Sequence, residues 1–467
     1  MDSLRPSVPQ FQDLGAVDIH ALTMSLRSGL PGELCNALDT LTVLLNDTRI
    51  ILSLNDCWDL LDALLEIAED DCEILEQGFR TKRRRVSCSP TREKKALLDF
   101  DHYHDLMRSC QGFSEDLDEL IQGEEKDAVQ LRLSADRLLC VTALLRNFSF
   151  VEFNHEVLAG EDVIRFLTRI LRGLQSSKLR PFLVTRRNNL ELARDIITLL
   201  SNVAHCIRLP DIDCAQVIYS FILSFAPEDR TVLNPEALIF ACYKPSRDAY
   251  LPPALDTLAK LLVVDHPNKE YFVTLLRATT DKPDGSQFSR GDVFLTKAFG
   301  MSVSVLPSNE PAQAFFTKEE RMALAEQGMM AATALVEMLP SDGDLARYWL
   351  SSKDNFGARL VRTIFHLAAI HDQRLPPGMP ANGGMYAAIT RRGMKIIEVM
   401  TSRAAKGLKD GEVLAMACTR KEQLLGAMLT GNMDGAIVDS LWKLHDIEEG
   451  IGNSGSPRSA DSPRNSR

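Results

Sequence analysis

Side chains able to bind a metal gather once in this sequence, as Cys88, His102, His104 and Cys110. Thiolate and imidazole are zinc ligands, but the spacing matches no common zinc module, and Cys88 falls in a highly charged stretch. No metal site is expected. Gly450, Gly452 and Gly455 spell a G-x-G-x-x-G string. A dinucleotide site needs that string between a strand and a helix, whereas here it lies in a Ser- and Pro-rich tail. His205 and His366 sit on helical segments and read as core or flank residues. With no cluster of titratable groups to tune one another, neither an enzyme activity, a cofactor nor a small-molecule substrate is expected.

More information sits in a basic run. Residues 79–97 hold eight Lys or Arg against a single acid, Glu93, and few apolar residues. Such a composition cannot pack a core and predicts a disordered insertion. Within it, Lys82, Arg83, Arg84 and Arg85, followed by Lys94 and Lys95, have the form of a nuclear localisation signal. Ser87 follows two arginines in the manner of a basophilic kinase site, and Ser89 precedes Pro90 as in a proline-directed one. Residues 114–127 are the counterpart, with seven acids and one lysine.

The elements around these residues read as helices. Leu34, Leu38, Leu41 and Leu45 recur at helical spacing, as do Trp58, Leu61, Leu64, Leu65 and Ala68. Further stripes run through Leu138, Val141, Leu144, Leu145 and Phe148; through Leu192, Ile196, Leu199, Leu200 and Val203; and through Leu255, Leu258, Ala259, Leu262 and Val263. Val361, Ile364, Phe365 and Ala368 form another, and Ile396, Ile397 and Met400 a last one. No alternation of period two marks a strand. Three L-x-x-L-L strings, at Leu41, Leu61 and Leu258, read as core. Asn46, Asn147 and Asn202 each close a Leu-Leu helix end. Two roles fit them: helix caps, or ties from one repeat to the next connection. Uneven spacing of these echoes suits armadillo or HEAT units of about 40–47 residues.

The 467 residues are 45% hydrophobic and 25% charged, with net charge −11. That is a folding composition and a poor one for wrapping nucleic acid. Aromatics at 6% are few for a β-sandwich and suit Leu- and Ala-packed helices. Ten scattered cysteines without a C-x-x-C pair, and an N-terminus without an apolar block, read as reduced thiols in a non-secreted protein. The expected organisation is a flexible 1–12, an all-α, armadillo/HEAT-like α-solenoid over 13–446 interrupted at 79–97, and a disordered tail at 447–467. A solenoid offers a long surface for partner segments. An armadillo-type transport or signalling adaptor is one use of it, though regularly spaced Trp and Asn are missing.

The order of certain segments carries a resemblance. These are Asp39–Leu44, Arg137–Phe166 with its Leu-Leu-Arg-Asn-Phe-Ser-Phe and Asn-His-Glu-Val-Leu strings, Leu199–Leu209 and Pro252–Asp265. Together they resemble the C-terminal armadillo-like region of the large ARID-containing subunit of the fungal SWI/SNF chromatin-remodelling complex. The resemblance implies a nuclear, non-catalytic scaffold that assembles other subunits, including the ATPase. In that family the DNA-binding ARID domain would precede this region, so direct DNA binding is not carried over, and DNA contact is expected to be indirect or weak.

Overall fold

The structure is a computed structural model. It describes residues 14–47, 49–83, 100–111, 125–174, 185–227, 238–279, 281–282, 287–307, 319–374 and 385–406, with isolated positions 439 and 442. No strand forms among the described residues; they are helices and connections. The chain divides into two compact units, Met1–Ala226 with Lys244–Gly291, and Pro227–Tyr243 with Asp292–Arg467. The expected flexible start, most of the basic insertion and the tail lie outside the described residues.

The first unit opens with α1 (Ile19–Arg27), α2 (Pro31–Asn46), α3 (Trp58–Arg83) and α4 (Tyr103–Gln111). It continues with α5 (Glu125–Phe148), the short α6 (His155–Leu158), α7 (Glu161–Leu174), α8 (Arg186–Val203), α9 (Ile212–Leu223), α10 (Leu251–Val263) and α11 (Glu270–Ala278). Starts are written locally. The Asp18 carboxylate accepts the His20 and Ala21 amides, Thr185 accepts Asn188 N–H, and Asp211 accepts Cys214 N–H. Each thereby satisfies a donor that the first helical turn leaves unpaired. Pro31 opens α2, where its missing N–H costs nothing.

Packing joins these helices in two rows. One row runs α2, α5, α8, α10, each against the next; the other runs α3, α7, α9, α11. α7 shows why the rows adhere: Val163, Ile164, Phe166, Leu167, Ile170 and Leu171 are all buried on one face. In α9, buried residues run almost continuously from Cys214 to Leu223, as a helix enclosed by neighbours requires. The stripes of α5 and α8 are core as the periodicity predicts, with Leu138, Val141, Leu144, Leu145, Phe148, Leu192, Ile196, Leu199, Leu200 and Val203 all buried. The L-x-x-L-L strings at Leu61 and Leu258 are buried as well.

Some expectations are corrected. The buried face of α2 centres on Ala37, Leu38, Leu41 and Leu44, and Leu34 and Leu45 are only half-buried, because α2 packs between α1 and α5. Trp58 is 67% exposed and Val263 is also exposed. Each stands at a helix terminus, Trp58 as the first residue of α3 and Val263 as the last of α10. α3 continues to Arg83, past the break expected at Phe79, and α5 begins at Glu125, inside the acidic run.

The second unit contains α12 (Arg290–Val303, from Asp292 onward), α13 (Glu319–Glu337), α14 (Asp344–Leu350), α15 (Phe356–Arg374) and α16 (Met385–Lys406). α16 packs against α13, α14 and α15. Its core is aromatic: Phe299 stacks on Trp349 at 4.1 Å, and Phe240 and Phe356 meet Phe299 edge-on. The Trp349 indole N–H donates to Thr296 Oγ1 at 2.9 Å, satisfying the polar end of a fully buried ring. Val361, Ile364, Ile396, Ile397 and Met400 are buried as the periodicity predicts, whereas Phe365 is half-buried. Ala368 lies where side chains are outside the described residues.

Candidate interaction edge

Four connections of the first unit, residues 47–57, 149–160, 204–211 and 264–269, lead from the C-terminal ends of α2, α5, α8 and α10 to α3, α7, α9 and α11. Because α2, α5, α8 and α10 form one row, their connections form one edge. Two buried asparagines hold it. Asn154 accepts the Leu54 N–H at 2.8 Å and donates to the carbonyls of Leu52 (3.0 Å) and Phe148 (3.1 Å). Asn268 repeats the pattern, accepting Leu209 N–H at 2.9 Å and donating to Ile207 O at 3.0 Å. A side-chain amide suits this work since it offers both donor and acceptor to an irregular backbone that has no helix partner. Asn154 stood out only as the first residue of the Asn-His-Glu-Val-Leu string and Asn268 not at all, with no role read for either; the shared Asn-x-Glu, at Asn154–Glu156 and Asn268–Glu270, was the available signal.

The edge is continuous. Asn202 Nδ2 donates to Ser149 Oγ at 2.9 Å, and the His155 and His205 rings meet edge-on at 5.1 Å. Asn147 Nδ2 donates to Asn46 Oδ1 at 3.2 Å. Asn147 and Asn202 therefore tie one helix to the next connection or helix end. They do not act as left-handed caps, since Asn355 is the one non-glycine residue with positive φ among the described residues.

Ion pairs fasten the same rows. Arg137 meets Asp71 between α5 and α3, with Nε to Oδ2 at 2.9 Å. Arg146 pairs with Asp195 between α5 and α8. Burial pushes the Asp195 carboxyl up, against the pull of Arg146. Ser201 donates to Asp256 at 2.7 Å, and Lys260 donates to Ser201 O at 3.0 Å, joining α8 to α10.

Burial raises the thiols of Cys72, to about 12, and of Cys140 and Cys214, opposite to what a nucleophile requires. One hollow, lined in part by Phe100, Tyr103, Phe221 and Phe225, encloses about 20 Å³, room for a water molecule or two. Among the described residues no three His, Cys, Asp or Glu side chains gather as metal ligands. Of the candidate zinc set, Cys88 lies outside the described residues, and His102 bonds the Ala226 carbonyl.

No protein-family model matches the chain. Two curated proteins do. The SWI/SNF chromatin-remodeling complex subunit sol1 of Schizosaccharomyces pombe is 26% identical over 468 residues, covering 95% of this chain and 50% of that protein. The chain is similar to SWI/SNF chromatin-remodelling subunits. A second relative, the subunit SWI1 of Saccharomyces cerevisiae, is 26% identical over 151 residues, 30% of this chain and 11% of that protein. The chain thus spans about half the length of the first relative.

Of the basic-run candidates, Lys82 and Arg83 are the last two residues of α3. Arg84, Arg85, Lys94, Lys95, Ser87 and Ser89 lie outside the described residues. Among the described residues no helix is long and apolar enough to cross a membrane.

Proposed function

We propose that this chain is a non-catalytic scaffold, or the scaffold region of a longer subunit, in a SWI/SNF-type remodelling complex. The observation that carries the reading is similarity to a SWI/SNF subunit along 95% of the chain. The two-row packing of helices supports an armadillo/HEAT-like solenoid, a form whose extended surface suits the assembly of several partners. The partners are other subunits of the complex, the ATPase among them, and DNA contact is indirect or weak. The protein acts in the nucleus, with Lys82–Arg85, Lys94 and Lys95 as the import signal. Phosphate on Ser87 would weaken import by adding about −1.5 to −2 charge beside that signal.

Affinity purification of the tagged chain followed by mass spectrometry tests the scaffold. Remodelling subunits, the ATPase included, are the expected recovery; a preparation without them would refute the assignment. For import, a reporter fused to residues 79–97 should concentrate in the nucleus and lose that localisation when Arg83, Arg84 and Arg85 become Ala. Unchanged nuclear localisation of the triple variant would refute the signal, and Ser87→Asp behaving as Ser87→Ala would refute the switch.

A further inference from the structure

We infer that the exposed apolar residues at the first joint of the edge form a docking site for a partner segment that carries apolar side chains flanked by lysine or arginine. This deepens the scaffold reading and rests on it. Ile51, Phe150 and Phe153 leave 68%, 65% and 71% of their surfaces open. Singly, such residues are ordinary on a protein surface. Here they stand on two connections that one side chain pins together. Ile51 adjoins Leu52, Phe153 adjoins Asn154, and Phe150 lies two residues beyond Phe148; the Asn154 amide bonds both carbonyls, of Leu52 and of Phe148. Asn55 adds a hydrogen bond to Phe153 O at 3.2 Å. The backbone beneath the three side chains is therefore fixed before any partner arrives, which lowers the entropy cost of binding. Exposed apolar groups gathered on a rigid support mark an interaction site.

Charge selects the occupant. The two connections carry Asp47, Asp56, Glu152 and Glu156, and one guanidinium, Arg49. Arg49 is bonded to Asp47, with Nε to Oδ1 at 2.8 Å. Asp56, Glu152 and Glu156, all exposed, then leave the two connections that carry the apolar residues net negative. A partner with Lys or Arg beside its apolar side chains meets both features, and the Phe faces can also take a cation. A second copy of this chain offers apolar residues but not the cations. In a two-fold contact each copy presents the same patch, so its carboxylates would oppose their own counterparts, and like charges across an interface are costly.

The test uses the full chain and two fluorescein-labelled helical peptides. Both carry Leu and Phe along one face; the opposite face is Lys in one probe and Glu in the other. Fluorescence anisotropy in about 0.1 M salt should show binding of the Lys probe and none of the Glu probe. Phe150→Ser with Phe153→Ser should weaken the Lys probe about tenfold or more, with the circular dichroism spectrum unchanged. Glu152→Lys with Glu156→Lys should weaken the Lys probe and admit the Glu probe. Equal binding of both probes, or no effect of the Phe changes, would overturn the inference. So would a concentration-dependent dimer that the Phe changes dissolve, which makes a second copy the occupant. Tighter probe binding by a chain with Arg83, Arg84 and Arg85 changed to Ala would assign the site to the chain's own basic run and likewise overturn it. Co-purification separates the two readings: full recovery of remodelling subunits with Phe changes that leave the probe bound sinks the docking site alone, whereas no recovery with the wild-type chain sinks the scaffold, and the probe arms still decide the patch.

Discussion

Changing Asn154 to Ala removes three hydrogen bonds from a fully buried position. Their losses are unequal. Leu54 N–H is itself buried and is stranded outright, at about 1–3 kcal/mol. Phe148 O keeps its bond from Val151 N–H at 3.1 Å and loses little. Leu52 O, on a half-buried residue, loses about 1 kcal/mol. Together the change should cost about 3 kcal/mol. Asn147→Ala is the comparison: it removes the bonds to Asn46 and from the Arg146 guanidinium, but these lie on partly exposed side chains and no buried backbone N–H is stranded, so it should cost about 1 kcal/mol. The bonds lost converge on one connection, so the assay is hydrogen exchange at the Leu54 amide. A local loss of about 3 kcal/mol accelerates exchange by about a hundredfold. Asn154→Asp should be no better than Ala, since it turns an oxygen toward the two carbonyls. Exchange in Asn154→Ala within about threefold of wild type would refute the clamp.

Three other outcomes arise from the same packing. Leu200→Asp puts a carboxylate at a position with no exposed surface and should unfold the α8 region; normal recovery of remodelling subunits with this variant would place the stripe in solvent. Arg137→Ala leaves the buried Asp71 carboxylate unpaired between α3 and α5 and should cost about 3–5 kcal/mol, read by urea denaturation, whereas changing both residues to a well-packed apolar pair should recover much of it. Acidification should destabilise the first unit. Burial, then the neighbouring His155 and Lys260, hold the His205 imidazole below its ordinary value, against Glu152. The unfolded chain therefore takes the proton first, so this contribution is intact above the ordinary imidazole range and is lost as pH falls through it. Thermal unfolding followed from about pH 7.5 to 5.5 should show a fall that His205→Asn flattens. A variant as pH-sensitive as wild type would refute the assignment to His205.

The class of the fold was legible along the chain because helix periodicity is local. Leu138, Val141, Leu145 and Phe148 declare a buried face through their own spacing, and Asp18, Thr185 and Asp211 announce helix starts through bonds to residues two or three positions on. The same spacing placed Trp58 and Val263 in the core. Periodicity assigns a face, but where a neighbouring helix stops covering that face is a property of the neighbour. The edge was less legible still. Asn46, Asn147 and Asn202 could be read as caps or as ties, and only their partners decide between the two. Asn154 reaches an amide 100 residues away, and Asn268 one 59 residues away. A side-chain amide advertises a capacity to donate and accept, not the identity of what it will meet. That identity is set when the helix rows stack and bring distant connections, each with unmet backbone groups, to one edge.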